Sequence, residues 1–278
     1  VSDKTDHAKI RNKTQPRIAG GLHQSPDYFS AVAEILFVLR GNTGYSFLKI
    51  KLAWIDRSAN PHPPARDALI GNAGMSQFFG NAADNLLSLG DNANDALYGL
   101  DGNDTLVAGG GGFQFLLGGN DADSLQGGNG AYQALLGDAG NDTLVAGGGN
   151  NQTLYGWDGA DSLQGGNGAG QVLYGEVGND TLVAGVGAYQ YLYAGEGADS
   201  LQGGNGASQQ LYGEAGNDTL VAGGGDYQGL YGGTDADSLQ GGNGANQYLS
   251  GEAGNDTLVA GGGAGQYLFG GADADSLL

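Results

Sequence analysis

The sequence predicts an all-β fold: a parallel two-sheet β-solenoid preceded by a small α+β N-terminal cap. Three observations predict it. Glycine supplies 58 of 278 residues without a period of three, which excludes a collagen-like helix. From Leu97 onward the pattern returns every 19 residues. Within each repeat one aspartate returns at a fixed place: Asp104, Asp123, Asp142, Asp161, Asp180, Asp199, Asp218, Asp237, Asp256 and Asp275.

The elements follow in chain order. Residues 1–27 are polar and mixed in charge, an expected flexible N-terminus. Residues 28–70 are expected to form a small cap and a Pro-rich linker. There, Asp27 to Leu36 suits a short helix, with Ser25 placed as N-cap and Pro26 at the first helical position. Gly41-Asn42-Thr43-Gly44 reads as a turn. Phe47 to Trp54 alternates in the manner of a half-buried strand. Asn60-Pro61-His62-Pro63-Pro64 is a stiff linker. Residues 71–278 are the solenoid, with irregular forerunners at Gly71–Phe79 and Gly80–Leu89.

Each regular repeat has two halves. Gly137 to Val145 is a nine-residue half and Ala146 to Tyr155 a ten-residue half. Each half carries one Leu-centred strand and one Gly-rich turn, the grammar of a coil with two sheets. Leu106, Leu125, Leu144 and Leu163 point inward from one sheet, and Leu116, Leu135, Leu154 and Leu173 from the other. The segments GNDTLVAGGG and ADSLQGGNGA alternate, so the higher-order period is 38 residues. Helix loses because each glycine costs about 1 kcal/mol relative to alanine there.

Charge separates along the chain. All ten Lys and Arg lie at or before Arg66, beside five acids, and the remaining 25 acids stand with no base. The two parts are therefore near +5 and −25, which sums to −20. An acidic array without a basic patch excludes nucleic acid as partner and favours metal cations. No apolar run is long enough to span a membrane, and Val1 to Gln15 is polar, unlike a secretory leader. There is no Cys, hence no disulfide or thiolate site. All three His precede residue 63, and no nucleophile motif or phosphate loop is present, so the expectation is not an enzyme.

The acid row points to a hard cation. Ca²⁺ takes six to eight oxygens from flexible loops, and carboxylates stacked at about 5 Å repel unless neutralised. The nine-residue halves follow G-G-x-G-x-D-x-U-x, where U is large and apolar. Gly90–Tyr98, Gly118–Gln126 and Gly232–Gln240 show it in outline, and Gly137–Val145 shows it with Asp at the second place. Here the chain resembles the RTX (repeats-in-toxin, hemolysin-type) calcium-binding β-roll family over about residues 70–278. The resemblance implies several Ca²⁺ ions in one row, held by the ten aspartates above, by Asp95 of the first nonapeptide, and by turn carbonyls. The turn set is Gly102, Asn103, Gly140, Asn141, Gly159, Gly178, Asn179, Gly197, Gly216, Asn217, Gly254 and Asn255. It also implies export by a type I system, folding by external calcium, and a secreted or cell-surface location.

The second turn departs from the family pattern. It carries no acid in register, and Gln133, Gln152, Gln171, Gln190, Gln209, Gln228, Gln247 and Gln266 recur there, with Asn129, Asn167, Asn205 and Asn243 in alternate turns. Calcium is expected along one edge and an amide ladder along the other. Thr105, Ser124, Thr143 and successors form an outward hydroxyl file. Tyr155, Tyr174, Tyr193, Tyr212 and Tyr231 form an aromatic file, open to a protein or saccharide partner or explained by stacking alone.

The 19-residue coil with one calcium edge is also similar to the calcium-dependent ice-binding region of a bacterial adhesin. Half of the implied ice face is missing here: Ala139, Val177, Ala215 and Ala253 occupy the Thr place. The reading is a calcium-loaded rod with a structural or adhesive role. Ice binding, or service as the C-terminal module of a secreted enzyme, are the alternatives. The array stops at Asp275-Ser276-Leu277-Leu278, part-way through a coil, and copies stacked end to end into filaments are the corresponding expectation.

Overall fold

The computed structural model of the chain describes residues 32–41, 44–53 and 76–278. Two compact units divide between Ala59 and Asn60. The expectations placed on residues 1–31, on the turn residues Asn42 and Thr43, and on the linker up to residue 75 lie outside the described residues.

Among the described residues, the first unit is an antiparallel hairpin of Val32–Gly41 and Gly44–Ala53, registered from Val32 opposite Ala53 to Gly41 opposite Gly44. The expected helix over 27–36 is corrected here, because its described part, from Val32 on, is strand. The run VAEILFVL holds β-branched and aromatic residues that fit a pleated surface. A short apolar run does not distinguish the two states by periodicity. The strand expected over Phe47–Trp54 is present as Gly44–Ala53.

The second unit is the solenoid. Its strands fall into two parallel sheets, each with eleven strands among the described residues. One is built of short strands, from Leu86–Ser88 and Thr105–Val107 to Ser276–Leu277. The other is built mostly of longer strands, from Gln77–Phe79 and Ala96–Leu100 to Tyr267–Ala272. Consecutive strands of one sheet pair at a constant offset of 19, as in Thr143 with Ser162 and Leu154 with Leu173. Every residue type therefore forms a straight file along the axis.

The core is two facing files of leucine. Leu106, Leu125, Leu144 and Leu163 face Leu116, Leu135, Leu154 and Leu173, all at most 1% exposed. A single large apolar residue per half-coil suffices because each is sealed by its own copies above and below. Side chains alternate across the short strands, so Thr143 and Ser162 face solvent while Leu144 and Leu163 face inward. Residues 80–89 already form a half-coil in register, Leu86–Ser88 pairing with Thr105–Val107.

Candidate metal centre

Each aspartate of the row is the residue immediately before a short strand, which turns its side chain into the coil. From Asp104 to Asp256 these side chains are 1–3% exposed. Their first oxygens are paired. The backbone N–H of Asp104 donates to Asp123 Oδ1 at 2.7 Å, that of Asp142 to Asp161 at 2.7 Å, and that of Asp180 to Asp199 at 2.6 Å. The file begins with the Asn85 N–H on Asp104 Oδ1 and ends with the Asp256 N–H on Asp275 Oδ1.

The second oxygens are not paired. Oδ2 of Asp104, Asp123, Asp142, Asp161, Asp180, Asp199, Asp218, Asp237 and Asp256 is buried with no hydrogen-bond partner. An unsatisfied buried acceptor costs roughly 1–3 kcal/mol, and a charged one costs more. Nine in one file are an arrangement that the protein alone does not balance. Burial pushes these carboxyls up, and neighbouring carboxylates add to the effect, while the N–H on Oδ1 acts the other way. Asp104, Asp142 and Asp161 reach about 6. Asp123, Asp180, Asp218 and Asp237 reach about 7.

Backbone oxygens converge on the same line. Each Oδ2 lies over the glycine five residues earlier. A Cβ on Gly137 or Gly156 would collide with Asp142 or Asp161 Oδ2 and crowd the carbonyl of Gly156 or Gly175 in the next coil. Carboxylate and carbonyl files thus run side by side through space that only glycine leaves open. One coil departs from this: Ala194 occupies the place before Asp199, with its methyl fully buried.

The sequence-derived turn residues fall into two groups. Gly140, Gly159, Gly178 and Gly197 have φ of 144–151°, and a Cβ on any of them would strike a carbonyl of the preceding coil. Their carbonyls form a second oxygen file; Gly140 O lies against Gly159, and Gly159 O against Gly178. Gly102, Gly216 and Gly254 share the positive φ. The asparagines instead cross-brace. Oδ1 of Asn103, Asn141, Asn179, Asn217 and Asn255 accepts the N–H of Ala122, Ala160, Ala198, Ala236 and Ala274 at 2.8–3.1 Å. Their side chains are committed to the next coil.

Asp95 stands apart. It is 19 residues before Gln114, so it heads the file on the opposite edge, where its Oδ1 accepts the Ser76 N–H at 2.9 Å. The glycines that open each nonapeptide, such as Gly137, Gly156 and Gly175, line the same space and were not in the sequence-derived set. Their constant place five residues before the acid was the available signal.

The opposite edge is satisfied by side chains alone up to its last glutamine, Gln266, whose Oε1 is buried without a partner. Gln152 is fully buried. Its Nε2 donates to the carbonyls of Gly128 and Gly130 and to Gln133 Oε1 at 2.8–2.9 Å, and its Oε1 accepts the Gly147 N–H at 2.7 Å. Gln133, Gln190 and Gln228 repeat the whole pattern. The expected amide ladder is therefore present.

The oxygen set fits a calcium ion by its chemistry: one anionic oxygen per coil beside backbone carbonyls. Among the described residues no three acids or histidines come together, so neutral oxygens must supply most of any shell. The comparison with known proteins agrees. The model for the RTX calcium-binding nonapeptide repeat (four copies) matches residues 89–112, 136–172, 171–191, 193–228 and 231–267, more than half of the chain. The chain belongs to the RTX calcium-binding nonapeptide repeat family. No curated protein matches it. As an RTX β-roll it is a calcium-binding solenoid, a structural fold, built from 19-residue coils.

Proposed function

We propose that this RTX chain is a secreted, calcium-loaded rod whose role is structural or adhesive, exported by a type I system and folded by calcium outside the cell. The observation that carries the calcium part is the file of nine buried Asp Oδ2 atoms without partners. Asp104 to Asp256 would hold a single row of ions, with Asp275 at its end. The carbonyls of the turn glycines and of Gly137, Gly156, Gly175 and their equivalents would complete each shell. Bound calcium supplies positive charge between stacked carboxylates, and this chain's residues position the oxygens and exclude water. Asp95 is left out of the row by its place on the amide edge.

A structural or adhesive role follows from what the rod exposes. Its outer faces are regular files of Thr/Ser, Val/Gln and Tyr, suited to repeated weak contacts along a line. The ice-binding alternative gains nothing from the turns, because Asn141, Asn179, Asn217 and Asn255 spend their side-chain oxygens on the next coil.

The test is a calcium titration by calorimetry with circular dichroism on the same sample. The expected outcome is a β spectrum that appears with calcium, disappears with EDTA, and saturates at about nine ions, one per unpaired oxygen. A β spectrum indifferent to EDTA would overturn the proposal.

A further inference from the structure

The turn on the amide edge carries a feature that neither calcium nor folding uses. Just before each buried glutamine the backbone is left-handed in every coil from Phe113 to Gly265, with φ of 55–71°. Asn151, Asn246, Gly170 and Gly265 stand there in four coils, residue types that adopt this region readily. Ser208 stands there in a fifth, and Phe113, Tyr132, Tyr189 and Tyr227 in the remaining four, at φ of 58–60°. Bulky side chains are unfavourable in that region. These rings do not repay the strain by burial, since they are 53–60% exposed. Their backbone N–H groups are fixed to the next coil, as in Tyr189 to the Ala207 carbonyl at 3.0 Å and Tyr227 to Ala245 at 2.9 Å. Strain held in place by the scaffold, with more than half of each ring left exposed, points to an external contact.

The ring faces distinguish this row from the tyrosine file on the long-strand sheet. Along that file Tyr155, Tyr174, Tyr193, Tyr212 and Tyr231 stack at 4.7–5.1 Å with 5–11° between planes, so their π-faces cover one another. In the turn row, Phe113 and Tyr132 stack on each other at 5.0 Å, and each keeps one face. Tyr189 and Tyr227 are two coils apart, roughly 10 Å along the axis. Three residues before the left-handed position, alternate coils carry an exposed asparagine, Asn129, Asn167, Asn205 and Asn243, while the coils of Tyr189 and Tyr227 between them carry Val186 and Gly224 there.

We propose that Phe113, Tyr132, Tyr189 and Tyr227, with the amide row Asn129, Asn167, Asn205 and Asn243, form a contact surface for an extended, neutral β-1,4-linked glycan. Open aromatic faces receive the apolar C–H face of a pyranose, and amides donate to and accept from its hydroxyls. The two-coil spacing of Tyr189 and Tyr227 is about the length of two linked pyranoses, after which a β-1,4 chain presents the same edge again. The array has no Lys or Arg after Arg66, so an anionic polymer has nothing to pair with. One stacked pair and two separate aromatic posts, rather than one continuous apolar patch, suit a glycan better than a protein partner. The inference rests on the adhesive reading and names its ligand class.

The experiment uses the full chain in saturating calcium, with cellulose and chitin as pull-down matrices and cellohexaose in calorimetry. Circular dichroism with and without EDTA is recorded on the same batch, so loss of the calcium-dependent fold is seen separately from loss of glycan binding. The native chain is expected to be retained. The variant Phe113→Asn/Tyr132→Asn/Tyr189→Asn/Tyr227→Asn, which installs a residue the turn already uses, is expected to bind roughly tenfold or more weakly. It should melt at the same or a higher temperature. A folded chain that neither matrix retains overturns the inference. So does equal binding by the four-site variant, or a lower melting temperature for it, which would make the rings turn braces.

Discussion

The two edges of the rod solve one problem in opposite ways. On each edge a buried polar side chain repeats every 19 residues and closes the turn. On the glutamine edge, one amide such as that of Gln152 makes four hydrogen bonds and leaves nothing over. On the aspartate edge, one oxygen is used and the other is orphaned nine times. Glutamine carries both a donor and an acceptor, so it can serve an N–H and several carbonyls at once. An ionised carboxylate only accepts, and its neighbours in the file are also oxygens. Short of the terminal Gln266, whose Oε1 lacks a partner, the amide edge is complete as translated, and the acid edge is complete only with a cation or a proton.

The sharpest way to break this contrast is to convert part of one edge toward the other. Asp161→Asn/Asp180→Asn/Asp199→Asn keeps an acceptor for the N–H and removes the charge. The variant is expected to bind about three fewer ions in calorimetry and to lose several kcal/mol of calcium-dependent stability. In EDTA at pH 8 it should retain more β signal than the native chain. An unchanged ion count would show that the ions lie elsewhere.

A smaller effect is expected on the other edge. Gln171→Leu removes the donor to the Gly147 and Gly149 carbonyls and the acceptor for the Gly166 N–H. Denaturant unfolding in saturating calcium should show a loss of about 2–4 kcal/mol, with the ion count intact. A drop in ion count would mean that the edges are coupled.

Acid offers a third comparison. Without metal, the folded carboxyls sit at about 6 to 7, against roughly 3.9 in the unfolded chain. Between those values the folded chain holds more protons, so its stability falls as pH rises through the window. In EDTA the chain is therefore expected to be more ordered at pH 5 than at pH 8 by circular dichroism. With calcium the sign reverses, because protons compete with the ion for the same oxygens. Equal metal-free spectra at the two pH values would contradict the buried acid file.

The mildest perturbation concerns the glycine cradle. Gly156→Ala places a methyl against Asp161 Oδ2, at the place where the coil of Asp199 already carries the buried Ala194. A modest weakening of calcium binding, on the order of 1 kcal/mol, is expected by titration. A neutral result would show that the coil relaxes freely around that position.

Much of this was legible in the sequence because the fold is periodic. The leucine files, the two sheets, the acid row and the glutamine row follow from one spacing, and each is where its register places it. The hairpin was not legible, since Val32 to Leu39 reads equally as helix or strand when neighbours decide. Asp95 misled because its nonapeptide, GDNANDALY, fits the motif while its register belongs to the glutamine file. The orphaned oxygens, the spent asparagine side chains and the left-handed aromatics depend on rotamers and backbone angles that no spacing encodes.

The alternation of two coil types has a consequence for how such a rod can change length. Each coil meets only its neighbours, and the alternation of the two coil types, with its acid, glutamine and leucine files, repeats after 38 residues. Insertion or deletion of one such pair shifts the tip by roughly 10 Å and creates no junction that the molecule does not already contain. The array is a ruler with evenly cut graduations, and its reach can be reset by copying without redesigning a single contact.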